Sequence, residues 1–192
     1  GGGEKSACIV GALRGNEIQQ LYICSQLVKV LKELEAHGAI SHNHEILVIP
    51  SVNRFSMNVG KRFWPTDNSD INRAFPGDVN GDTTKQIAGT LFDRIKGYSY
   101  GIHFASFYMP GDFIPHVKMM DTGFQSASLA NLFGLQYVVI RKPKPMDTVT
   151  LNYNWQMNGT NAFSIYTNST DMIDEKSARQ AVSSVLRFLT RM

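Results

Sequence analysis

Residues 7–11, ACIVG, form an unbroken apolar run, and from 17 to 36 the apolar positions Leu21, Cys24, Leu27, Val28, Leu31 and Leu34 recur at steps of three and four. The run predicts a strand, and the stripe predicts an amphipathic helix closed by Gly38. EILVIPS at 45–51 favours β-structure without polar alternation, as in a strand covered on both faces. Asp82 or Thr83 can cap a helix that turns Ile87, Leu91 and Ile95 to one side. YSYGIHF (98–104), FIPHVKMM (113–120), QYVVIR (136–141) and AFSIYT (162–167) read as strands. The third of these reads as buried, and Pro115 places the second toward a sheet edge, because proline offers the ladder no amide hydrogen. SASLANLFG (126–134) reads as a short helix, and 174–190 as a closing helix with Ala178, Val182, Val185 and Leu189 inward. Residues 142–161 read as loop. So does Val52–Gly81, which is too long to be an idle connection.

Strands alternating with helices predict an α/β fold, with a mostly parallel sheet and helices on both faces. In such sheets chemistry collects where strands end at their carboxyl edge. The length of 192 residues at 43% hydrophobic content suits one domain, taken as residues 4–192. Gly1-Gly2-Gly3 reads as an expression scar or a fragment edge. The net charge is +3, with Lys and Arg scattered, so no nucleic-acid surface is expected. Cys8 and Cys24 both fall in apolar surroundings and are expected to be buried free thiols of a cytoplasmic protein. No stretch approaches the ~20 apolar residues of a membrane span, so no membrane partner is expected.

Three strand ends carry polar residues: Arg14-Gly15-Asn16-Glu17, the long loop containing GKRFWPTDNSDINRAFPGD (60–78), and Gly101-Ile102-His103. Taken singly, each has an ordinary structural explanation. Glu17 can be a first-turn charge on a helix dipole, and His103 a hydrogen-bonded core histidine. Their order is more informative. The chain resembles the succinylglutamate desuccinylase/aspartoacylase family, relatives of the zinc carboxypeptidases. That family carries H-G-x-E after its first strand, a loop ending D-x-N-R-x-F-P-G, a D-x-H at a later strand end, and a glutamate on a late strand. RGNE (14–17), DINRAFPGD (70–78) with Arg62 upstream, GIH (101–103) and AFSIYTNS (162–169) sit on those four motifs.

The resemblance implies a zinc carboxypeptidase-like core and hydrolysis of amide bonds in N-acyl amino acids or peptide C-termini. Glu17 and His103 fall on metal-ligand positions, Arg62 on the oxyanion arginine, and Asn72 and Arg73 on the carboxylate-gripping pair. Two positions depart. Arg14 stands where the first metal histidine belongs, and a guanidinium has no lone pair to give. Tyr166 stands where the catalytic glutamate belongs, and a phenol with a reference pKa near ~10 is a poor base at neutrality. Gly101 replaces the aspartate before the metal histidine. Arg14 is therefore expected to fill the metal's place with its own charge, pairing with Glu17, so that zinc binds weakly or is absent.

Two readings remain open. One is a zinc amidohydrolase that recruits His116 or Asp112 as a replacement ligand. The other is a metal-free module holding a small carboxylate-bearing molecule on Arg14, Arg62, Asn72 and Arg73. Arg73 has a structural alternative, bracing the loop against Asp70 or Asp78. The aromatic group Phe104, Phe107, Tyr108 and Met109 either lines a pocket or packs as core and loop. The family commonly carries a further β-rich segment after this core, so the chain is expected to be a fragment or a minimal member.

Overall fold

Alternate residues of the first apolar run point to opposite sides of a six-stranded sheet, and both sides are covered. In the computed structural model, which describes residues 3–192, the elements are β1 (Glu4–Ala12), α1 (Ile18–Ala36), β2 (His44–Ser51), α2 (Arg54–Asn58), α3 (Thr83–Ile95), β3 (Tyr100–Ala105), β4 (His116–Met120), β5 (Val138–Arg141), α4 (Leu151–Met157), β6 (Asn161–Tyr166) and α5 (Glu175–Leu189). The strand order is β2-β1-β3-β6-β4-β5, parallel throughout except where β4 meets β6. Ala7 and Ile9 join Ile102, Phe104, Phe163 and Phe188 under α1 and α5. Cys8 and Val10 join Ile71, Phe92 and Trp155 under α3 and α4. Burial on both faces is why these strands show no polar alternation.

Local signals set several boundaries. Asp82 caps α3 by accepting the Lys85 amide at 2.9 Å, and Asp174 caps α5 by accepting that of Ser177 at 2.7 Å. The long loop is anchored and contains α2 and a helical turn at Ile71–Arg73. Asp67 accepts both the amide and the hydroxyl of Thr84, at 2.9 and 2.7 Å, tying the loop to the start of α3. Cys8 and Cys24 are free and buried, and burial pushes the Cys8 thiol up to about 12, so it stays an inert thiol. Among the described residues no helix is long and apolar enough to cross a membrane.

Four expectations change. β4 is an interior strand between β6 and β5, because Pro115 falls one residue before it and costs the ladder nothing. β5 is the edge instead, with Val139 and Ile140 exposed. Residues 127–133 form 3-10 turns rather than an α-helix. The segment read as loop at 142–161 holds a helical turn (Pro145–Val149) and α4. Only Leu151 and Trp155 mark the buried face of α4, and buried Asn152, Asn154 and Gln156 disguise it as polar sequence.

Trp155 also explains Gly101. The indole lies flat on that glycine, and a Cβ there would sit 2.7 Å from the ring. Gly101→Ala is expected to destabilise the protein by about 1–3 kcal/mol through overpacking. Urea denaturation of the variant checks this, and an unchanged midpoint would contradict the packing.

Candidate functional site

The turn after β1 is held from below and from the side. Glu17 is fully buried at the start of α1, but its carboxylate folds back rather than capping the helix. Oε1 accepts the amides of Leu13 at 2.9 Å and Arg14 at 2.7 Å, and Oε2 accepts the Ser106 hydroxyl. Arg14 reaches Glu17 with Nη1 at 3.6 Å, as its position suggested. Its closer partner is Asp70, gripped by Nε at 3.0 Å and Nη2 at 2.9 Å. Burial opposes the charge on Arg14, but Glu17 and Asp70 together raise its pKa above the ordinary value. Gly15 is required because the turn lies against residues 61–62: its amide donates to the Arg62 carbonyl at 3.0 Å, and a Cβ would meet the Lys61 carbonyl at 2.0 Å.

Above this turn opens a cavity of about 430 Å³, lined from β3, β4, β6, α4 and the long loop. Its walls carry Arg14, Arg62, Arg73, Lys118 and Arg141 against Asp70 and Asp147. The sheet supplies its floor. His103, Ser164 and Lys118 are register partners across β3, β6 and β4, and Ala105, Tyr166 and His116 form the next row. His103 is buried beside Arg14, its Nε2 has no partner, and burial with the Arg14 charge pushes its pKa down to about 3. It is therefore a neutral imidazole at pH 7. Burial raises the pKa of Tyr166, which remains a phenol and stacks on His116 with ring centroids 4.7 Å apart. Arg141 grips Asp147 with two bonds of 2.6 and 2.7 Å.

The remaining candidates divide. Arg62 lines the cavity, touches Asn16 at 3.4 Å, lies 5.4 Å from the Tyr108 ring, and leaves its Nε without a partner. Asn72 also lines it, but its carbonyl oxygen accepts the Leu151 amide at 3.0 Å and so starts α4. Arg73 pairs with neither Asp70 nor Asp78; it donates to the Met146 carbonyl at 3.1 Å. Phe107 and Tyr108 line the cavity, Phe104 points into the opposite core, and Met109 is exposed. Asp112 is exposed and not part of the lining, and the His116 Nδ1–H donates to the Ile114 carbonyl at 2.9 Å. Sequence reading passed over Ser106, Lys118, Arg141, Asp147 and Asn152. Only Lys118 carried a signal, since the alternation in HVKMM puts it on the same face as His116.

A profile of the succinylglutamate desuccinylase/aspartoacylase catalytic domain matches residues 4–191. The chain belongs to this family. It superposes on a succinylglutamate desuccinylase/aspartoacylase from Rhodobacter sphaeroides with a TM-score of 0.79 at 19% identity, over 99% of this chain and 56% of that one. A metallo-carboxypeptidase from Burkholderia cenocepacia gives a TM-score of 0.72 at 13% identity, over 99% and 57%. These likenesses establish a shared mixed α/β fold. An N-alpha-acetyl-L-2,4-diaminobutyric acid deacetylase from Halomonas elongata is 28% identical over 90 residues, which is 47% of this chain and 24% of that protein. The chain thus spans about a quarter of this curated relative and somewhat more than half of the solved ones.

The family fold implies zinc, and the donor set tests whether this chain fits it. Catalytic zinc takes three protein ligands and keeps a position open. Arg14, expected at one of these positions, offers only a guanidinium, and both oxygens of Glu17 are occupied by hydrogen bonds. Among the described residues no group of three His, Cys, Asp or Glu is placed to hold a metal ion, so neither His116 nor Asp112 completes a set. The residues present do not fit a catalytic zinc ion.

Two outcomes follow from this geometry. Arg14→Met leaves two buried or half-buried carboxylates uncompensated and is expected to cost about 3–5 kcal/mol, with much of the loss recovered when Glu17→Gln and Asp70→Asn are added. Chemical denaturation of the single and triple variants checks it. The Arg141 fork, against the opposing effect of burial, holds the Asp147 pKa at about 2. A carboxylate lowered on folding contributes stability above its unfolded pKa, and that contribution is lost as pH falls through the folded value. Asp147→Asn should therefore be less stable than wild type at pH 7, with the gap closing between about pH 4 and pH 2.

Proposed function

We propose that this chain binds a small carboxylate-bearing molecule, of the acylated amino acid or peptide C-terminus class, and does so without a catalytic zinc ion. The observation that carries this reading is the cavity itself: about 430 Å³ with five cationic side chains against two carboxylates. A site of this size and charge recruits small anions. Arg62 lines the cavity, has no carboxylate within ion-pair distance among the described residues and leaves its buried Nε unpartnered, which supports it as the cation that receives the carboxylate. Arg73 and the amide nitrogen of Asn72 stand on the same wall. Arg14 supplies fixed positive charge where the family fold would place a metal.

The same geometry offers little to hydrolysis. Glu17 is committed to three hydrogen bonds and the Arg14 charge, and Tyr166 holds its proton, so neither is a ready general base. A second reading, family-type amide hydrolysis, is supported by the unpartnered Nε2 of His103 and by the deacetylase likeness. The two readings part on metal content.

Protein purified without chelator or added zinc is expected to carry well below one zinc per chain by elemental analysis, and Arg14→His is expected to raise that figure. One tightly held zinc per wild-type chain would overturn the metal-free reading in favour of the second. In calorimetric titrations with a panel of N-acyl amino acids, Arg62→Ala should weaken binding by about tenfold to a hundredfold, the worth of a charge-assisted pair. Arg73→Ala should act in the same direction. Lysine at either position should not restore affinity, because a point ammonium lacks the planar fork. If both variants lower thermal stability and leave every affinity unchanged, the arginines are structural and carboxylate binding fails.

A further inference from the structure

The pairing of Arg141 with Asp147 leaves a lysine out. Asp147 lines the cavity on the β4–β5 side, and the Arg141 fork takes both of its oxygens. Lys118, on β4, makes no ion pair among the described residues. The sheet sets its surroundings. Lys118 stands in register between Ser164 on β6 and Val139 on β5, and Arg141 falls two positions after Val139, on the same face. The neighbouring row pairs His116 with Tyr166, and Lys118 Nζ lies over the phenol ring, 5.9 Å from its centroid.

The ammonium form of this side chain is poorly supported. Lys118 is half-buried, so its head group gives up water, and no carboxylate replaces that water. The Tyr166 face, at the outer reach of a cation–π contact, returns little. Burial first, then Arg141 and Lys144, hold the Lys118 pKa below the ordinary lysine value, against the opposing pull of Asp147. A desolvated lysine beside another cation is the setting in which an amine keeps its lone pair and attacks carbonyl carbon. Groups that can move a proton stand close by. Tyr166 holds its phenolic proton and stacks on His116, and the hydroxyls of Ser164 and Thr150 line the same cavity.

We propose that Lys118 is a nucleophilic amine that condenses reversibly with the aldehyde or ketone carbonyl of a small oxo acid bound in this cavity. The carboxylate end of that ligand rests on the reading under Proposed function; the covalent step goes beyond it. Nζ forms a C–N bond, and the C=O π pair moves to oxygen, which takes a proton from the Tyr166 phenol. The phenol recovers a proton from the nitrogen. The resulting carbinolamine loses its hydroxyl and the second N–H proton as water, leaving C=N. Amine and carbonyl become imine and water, with nothing oxidised or reduced.

Reductive trapping tests this. The full chain is incubated with pyruvate, 2-oxoglutarate or succinic semialdehyde in the presence of cyanoborohydride, which fixes an imine as a secondary amine, and labelled lysines are mapped by peptide mass spectrometry. With at least one oxo acid, Lys118 is expected to label about tenfold or more faster than the mean of the nine other lysines, with a rate that saturates in oxo acid. Tyr166→Phe, which keeps the ring and removes the hydroxyl, should slow that label without moving the melting temperature. An unchanged rate overturns the phenol's part in the step. Labelling of Lys118 no faster than the other lysines with all three oxo acids overturns the nucleophile, and this reading needs no variant to fold. Acetone, which has the carbonyl and no carboxylate, separates the two claims. If it labels Lys118 as fast as the oxo acids do, the nucleophile stands and the carboxylate hold fails; if it labels Lys118 slowly while an oxo acid labels it fast, both stand. Calorimetry with N-acyl amino acids reads the Proposed function independently of any lysine label.

Discussion

One guanidinium holds the site together. Arg14 sits between Glu17 and Asp70, and through them it joins the end of β1, the start of α1 and the turn that closes the long loop. Glu17 extends the connection to the end of β3 through the Ser106 hydroxyl. Ions buried this way are tolerable only as a set, because each removes the desolvation penalty of the others. The need for compensation makes the arrangement specific: the loop cannot leave without taking Asp70, the closer partner, away from buried Arg14.

The same electrostatics divides the cavity into scaffold and open groups. Arg14–Asp70 and Arg141–Asp147 are two-bond forks that fix the walls, each joining segments distant in the chain or capping a turn. Arg62, His103 and Asn152 also line the cavity, and their buried Nε, Nε2 and Oδ1 have no partner among the described residues. The family fold places chemistry at this sheet edge. In this chain that edge carries Arg14, His103 and Tyr166 beside the cavity's other cations.

Much of the fold was legible in the sequence because it rests on local rules. The stripe through Cys24 and Leu27, the cap at Asp82 and the unbroken run at 45–51 each report a periodicity or a side-chain bond that needs only near neighbours. The run DINRAFPGD announced the family. What the sequence by itself determined, then, was the alternation of strands and helices, the family, and which residue types stand at each motif. Only the tertiary structure decided the partners. That Arg14 takes Asp70 as its closer companion, that Pro115 spares an interior strand, that Trp155 covers Gly101, and that His103, Ser164 and Lys118 share one row are consequences of strand order and register. Those bring together residues distant in the chain, 56 positions apart for Arg14 and Asp70, and no local pattern encodes that distance.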